Sequence, residues 1–132
     1  MRYFKLRNSL FLVRYSIPPT SSAPSRSFNS AFQPSSTRPA LCIYAVSIAP
    51  TITLSGGQTG TVSLQTSTTS GGTYTELMPI TNGNTGALTI GLSLTNTNVF
   101  ALLAFVPAGN YVKLVTSGTA TMSIIKAQEI IF

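Results

Sequence analysis

"TVSLQTSTTSGGTYTELMPI", residues 61–80, decides the fold. Val62 and Leu64 alternate with Thr61, Ser63 and Gln65, the period of two that a β-strand shows when one face is buried. A turn, TSGGTY, follows at 69–74 by its Ser-Gly-Gly centre, and TYTELMPI resumes an extended run. Pro79 marks that run as an edge strand or a strand end, because proline donates no ladder hydrogen bond. Glu76 reads as one polar position in ordinary alternation.

The same pattern runs outward in both directions, with turn signals every ~8–12 residues. LCIYAVSIA (41–49) places Cys42, Tyr44, Val46 and Ile48 on one face before Pro50 breaks it. TITL and the turn SGGQTG come next. NGNTGALTIGLSLTN (82–96) reads as an Asn-Gly turn and a strand with Leu88, Ile90, Leu92 and Leu94 on one side. VFALLAFV (99–106) is apolar on both faces, YVKLVTS follows the turn PAGN, and TATMSIIKAQEIIF closes the chain. No helical period is visible. The expectation is an all-β protein: an antiparallel β-sandwich, jelly-roll-like, of about eight strands over residues 40–132.

Residues 1–39 differ. Five of the eight prolines lie in SIPPTSSAPSRSFNSAFQPSSTRP (16–39), which reads as an extended, Ser/Pro-rich arm. Arg2, Lys5, Arg7, Arg14, Arg26 and Arg38 make residues 1–38 carry +6 with no acid, while Lys113 and Lys126 balance Glu76 and Glu129 in the remainder. The basic pI of 10.0 therefore belongs to the arm. These six cations, with Phe28 and Phe32, are its candidate docking residues, the two phenylalanines pinning it to the body or to a neighbouring subunit. The cations are dispersed, so a docking arm fits better than one that packages nucleic acid. The apolar patch Leu10–Val13 is too short for a signal peptide and the arm is read as retained. No run is long enough for a membrane helix.

Chemistry has little to work with. There is no histidine, and the two acidic residues are both glutamates, so no Ser-His-Asp or Cys-His arrangement can form. One cysteine and two carboxylates are a poor metal set. Glu76 and Glu129 read as solvated or interface carboxylates, and Cys42 as a buried thiol. The glycine-rich turns lack the lysine and helix of a phosphate loop. The expectation is a non-enzyme with no catalytic residue, cofactor or metal. Tyr74 and Tyr111, beside turns, are the candidate contacts for a host-surface glycan.

Several segments together carry a resemblance: SRSFNSAFQPSSTR (25–38), GGQTGTV (56–62), NGNTGALTIGL (82–92), VPAGNYVKL (106–114) and AQEIIF (127–132). In this order they resemble a family of small bacteriophage proteins encoded among virion and tail-fibre genes. This chain departs from that pattern in having Pro39 after Thr-Arg, Ala127 in the closing segment, and a short hairpin near Thr69–Tyr74. The resemblance implies a structural component of the virion, assembled in the host cytoplasm: a capsid decoration or fibre-associated protein whose partners are other virion proteins. A carbohydrate-binding attachment module and a coat protein with a basic nucleic-acid arm are the alternatives.

The both-sided apolarity of 99–106 and of the tail also asks for a partner. One face of a strand in a two-layer sandwich is covered by the opposing sheet and the other is not. Phe100, Leu102, Leu103, Phe105, Ile130 and Phe132 are therefore the candidate oligomer-interface residues. In the tail, Ile124, Ile130 and Phe132 are expected on one face and Ile125 and Ile131 on the other. A homo-oligomer is expected, and the resemblance to phage fibres and decorations implies a trimer.

Overall fold

Strict alternation in residues 40–49 has a direct structural result: Ala40, Cys42, Tyr44, Val46 and Ile48 are all buried at the centre of the molecule. The computed structural model describes residues 17–84, 86–87 and 93–132. Arg2, Lys5, Arg7, Arg14 and the expected strand positions Leu88, Ile90 and Leu92 lie outside them.

Ten strands run β1 (Thr20–Ser22), β2 (Ala40–Ala49), β3 (Thr51–Thr53), β4 (Gly56–Gly57), β5 (Thr59–Ser67), β6 (Thr75–Gly83), β7 (Leu94–Thr95), β8 (Asn98–Val106), β9 (Tyr111–Gly118) and β10 (Thr121–Ile131), with no helix among the described residues. Sheet A has the order β1-β10-β2-β8, sheet B the order β6-β5-β9, and a small third sheet β4-β3-β7 lies to one side; all pairings are antiparallel. Beside β9 the arm adds a single bridge, Phe32 to Val112, with Asn29 N–H donating to the Leu114 carbonyl. With that segment as the fourth member of sheet B, the chain changes sheets at nearly every connection, which is jelly-roll topology.

The core lies between sheets A and B, where Tyr44, Val46, Ile48 and Leu102 meet Val62, Leu64, Val112 and Leu114. Alternation along β8 sends Leu102, Ala104 and Val106 inward and Val99, Ala101, Leu103 and Phe105 outward. Gly118 ends β9 with φ +96°, and a side chain there would run into the Thr59 carbonyl, so the turn into β10 needs glycine.

Four local expectations are corrected. The arm is extended, but from residue 17 it belongs to the sandwich: β1 pairs with the end of β10, while Phe28 and Phe32 pack against the chain's own core, the first of the two placements expected of them. Asn82-Gly83 is not a hairpin turn, because β6 continues through both, Asn82 facing Gly60 and Gly83 facing Thr59. A β-bulge at Ile125 shifts the parity of the tail. Ile124 and Ile131 consequently both pack against the core while Ile130 points outward. A second bulge leaves Leu77 unpaired between Met78, which faces Leu64, and Glu76, which faces Gln65; Glu76 is therefore not in ordinary alternation.

Candidate binding surfaces

The inner face of sheet A holds a buried ion pair. Arg26, on the arm, grips Glu129 of β10 with two bonds, Nε to Oε1 at 2.8 Å and Nη2 to Oε2 at 2.6 Å. Tyr44 donates its hydroxyl to Oε1 at 2.8 Å, and Glu129 is only 1% exposed. The Arg26 guanidinium also stacks on Phe32, 4.1 Å from the ring centroid, and Phe32 meets Tyr44 edge-on. Burial alone would lower the Arg26 pKa; the hydrogen bonds and charge of Glu129 outweigh it and raise it. Burial pushes the Cys42 thiol up to about 11 and the Tyr44 phenol higher still. Every buried side-chain polar atom among the described residues has a partner. The cluster is a structural latch whose buried nitrogen and oxygen atoms are all partnered.

Sequence reasoning placed Glu129 at the surface or in an interface. The structure buries it because Ala127, Glu129 and Ile131 share the inward parity after the bulge. Arg38 is likewise committed to the fold: its guanidinium donates to the carbonyl oxygens of Phe132, Pro18, Ile17 and Ile131. Two of the six arm cations thus tie down their own chain. Beside Arg26 an open groove of about 350 Å³ runs between Ala23–Arg26 and Ile124–Ala127.

The outer face of sheet A is apolar toward one end. Register aligns Ile130, Leu41 and Phe105 in one row, Gln128, Ile43 and Leu103 in the next, and Lys126, Ala45 and Ala101 in a third. Leu103 is 48% exposed, Phe105 62% and Phe132 45%; the last two rings lie 6.2 Å apart. Of the six expected interface residues, Leu103, Phe105, Ile130 and Phe132 lie on this side. Leu102 is fully buried and Phe100 packs against the core, so these two are core residues, which β-alternation requires of one face of β8.

Sheet B is polar outside. Thr61 and Thr81 pair their hydroxyls at 2.8 Å across β5 and β6. Two rows along, past Pro79, Ser63 and Val115, Glu76, Gln65 and Lys113 stand side by side on β6, β5 and β9. Ser63 donates to Glu76 Oε2 at 2.5 Å, and Gln65 Nε2 donates to Ser63 Oγ at 3.3 Å. Lys113 Nζ sits 4.5 Å from the centroid of the Tyr74 ring, whose hydroxyl donates to the Ser70 carbonyl. Tyr111 occupies the same side of β9 as Lys113, and it adds to burial in raising the Tyr74 pKa. The two expected glycan contacts, Tyr74 and Tyr111, therefore both lie beside Lys113. Sequence reasoning missed the row beside them, because a bulge decides which way Glu76 faces. The two carboxylates of the chain lie in different sheets, one on an outer surface and one buried. No group of three metal-ligating residues exists among the described residues.

No family model matches the chain. It is 37% identical over 107 residues to "Uncharacterized protein 443R" of Invertebrate iridescent virus 6, a match covering 77% of this chain and 4% of that protein. The chain thus spans a small fraction of the length of the relative it matches. Among solved structures it is similar to Eiger TNF from S. frugiperda, with a TM-score of 0.45, 12% identity, and coverage of 74% of this chain and 60% of that one.

Proposed function

We propose that this protein is a non-enzymatic structural component of a virus particle, and that it works as a homo-oligomer assembled through the outer face of sheet A. The observation that carries this reading is the outward-facing apolar surface of Leu41, Ile43, Leu103, Phe105 and Phe132 on one face of sheet A. Such a face invites aggregation when left bare. A second copy of the chain fits it, since the rows of Leu41 and Phe105 and of Ile43 and Leu103 carry no charge that would have to be desolvated, and Lys126 lies at the margin, one row beyond them. The likeness to a virus-encoded protein and the resemblance of the segments to phage virion proteins support the same assignment, and the latter points to three copies and to decoration or fibre.

Light scattering on the full-length protein at micromolar concentration tests the assembly. About three times the 13.9 kDa chain mass is expected, and a monodisperse monomer overturns it. Quantitative mass spectrometry of purified particles tests the location: hundreds of copies mean capsid decoration, a handful means tail or fibre, and absence defeats the virion reading. Attachment through the arm is tested by removing residues 1–16 only, because residues 17–39 are part of the fold.

A further inference from the structure

We propose that the outer face of sheet B carries a sugar-binding platform, formed by Glu76, Gln65 and Lys113 with the Tyr74–Tyr111 pair, that takes a pyranose bearing adjacent free hydroxyls. Three features built into the fold support it. The bulge at Leu77 turns Glu76 outward; without the extra residue the alternation of Pro79 out and Met78 in would put Glu76 in the core. Bulges re-aim side chains in this way at functional sites. The carboxylate is then held in place. Ser63, only 5% exposed, donates its hydroxyl hydrogen bond to Oε2, and the Gln65 amide donates to Ser63 Oγ in turn, so the group is oriented before any ligand arrives. Finally, Lys113 lies over Tyr74, fixing one wall of the platform and leaving Tyr111 alongside.

The chemistry of this row matches a sugar. Adjacent ring hydroxyls both donate and accept. Glu76 accepts from them through a carboxylate, while the Gln65 amide and the Lys113 ammonium donate. Successive strands bring the three groups to roughly two strand spacings, ~10 Å, across. A tyrosine ring contributes an apolar face to the C–H side of the ring and a hydroxyl to its edge. The adjoining row, Pro79, Ser63 and Val115, and the Thr61, Thr81 and Ser117 row beyond it add no further charge to the face. This surface lies on the sheet opposite the proposed assembly face, so both can operate in one particle.

The test is saturation-transfer NMR of the full-length protein with methyl β-galactoside, methyl β-glucoside, methyl α-mannoside and N-acetylglucosamine, followed by titration of the best of them and a screen on a glycan array. Binding to at least one saccharide is expected. It should weaken tenfold or more in Glu76→Gln, which keeps the side-chain shape, and in Tyr111→Ala, and stay unchanged in Phe105→Ser on the other face. Absence of binding to every monosaccharide and every arrayed glycan overturns the proposal. So does binding that survives both sheet B variants, or binding that Phe105→Ser removes as well. Because Phe105→Ser is also the variant that breaks assembly, failure of the sugar site and failure of the oligomer are read separately.

Discussion

The outer faces of the two sheets of this sandwich differ in polarity. Sheet B follows the ordinary rule, with Val62, Leu64, Val112 and Leu114 inside and threonine, serine, Gln65, Glu76 and Lys113 outside. Sheet A inverts it in part: within its apolar inner face it buries the ion pair Arg26–Glu129 and the Tyr44 hydroxyl, and it shows Leu41, Ile43, Leu103 and Phe105 to the outside beside Gln128 and Lys126. A buried carboxylate is tolerated only because all its partners are present. An exposed apolar sheet face is tolerated only if something covers it. The difference therefore teaches where to look for each sheet's surroundings: the outer face of B is suited to water, and the proposed assembly assigns the outer face of A to protein.

The largest expected effect is on the inside of sheet A. Glu129→Ala should cost about 3–5 kcal/mol in urea unfolding, because it leaves Arg26 buried without its partner and Tyr44 without an acceptor. A loss below 1 kcal/mol means that the latch is ornamental and the inversion only apparent. Adjacent leucines of β8 give the next test. Leu102→Ala should cost about 2–5 kcal/mol, whereas Leu103→Ala should stay within about 0.5 kcal/mol when measured below the concentration of assembly. Equal losses would show that the outer face is covered within the monomer.

Association provides the third. Phe105→Ser should weaken self-association by about 2–4 kcal/mol, as expected for an aromatic anchor at an interface, read by analytical ultracentrifugation. Thr61→Lys, on the outer face of sheet B, should leave it unchanged, and dissociation by that variant would exchange the roles of the two sheets. The smallest effect is alkaline. Cys42 and Tyr44 hold their protons more tightly in the folded chain, chiefly through burial, so the unfolded chain releases them first. Stability is thus intact below the ordinary thiol value of 9.0 and declines as pH rises toward the folded Cys42 value of about 11. A loss of about 2 kcal/mol by pH 10.5 is expected; the same measurement on Cys42→Ala should show a shallower decline, and an identical one would relocate the effect.

Much of this was legible from the chain alone. Alternation in 41–49, 61–67 and 99–106, punctuated by glycine and proline turns, determined that the protein is an antiparallel β-sandwich, that Cys42, Tyr44, Val46 and Ile48 are buried, that Pro79 sits in an edge strand, and that β8 has two apolar faces. These are consequences of a two-residue repeat, which is local. Tertiary structure alone decided the rest. Bulges at Leu77 and Ile125 reversed the parity of everything beyond them, sending Glu76 out and Glu129 in, and a bulge is set by how two strands pair rather than by either strand. Likewise a serine- and proline-rich arm became part of the sandwich only because residues about a hundred positions away, Val112 and Glu129, offered it a strand edge and a buried charge. Composition records that Arg26 is cationic; only the fold supplies the carboxylate it was needed for.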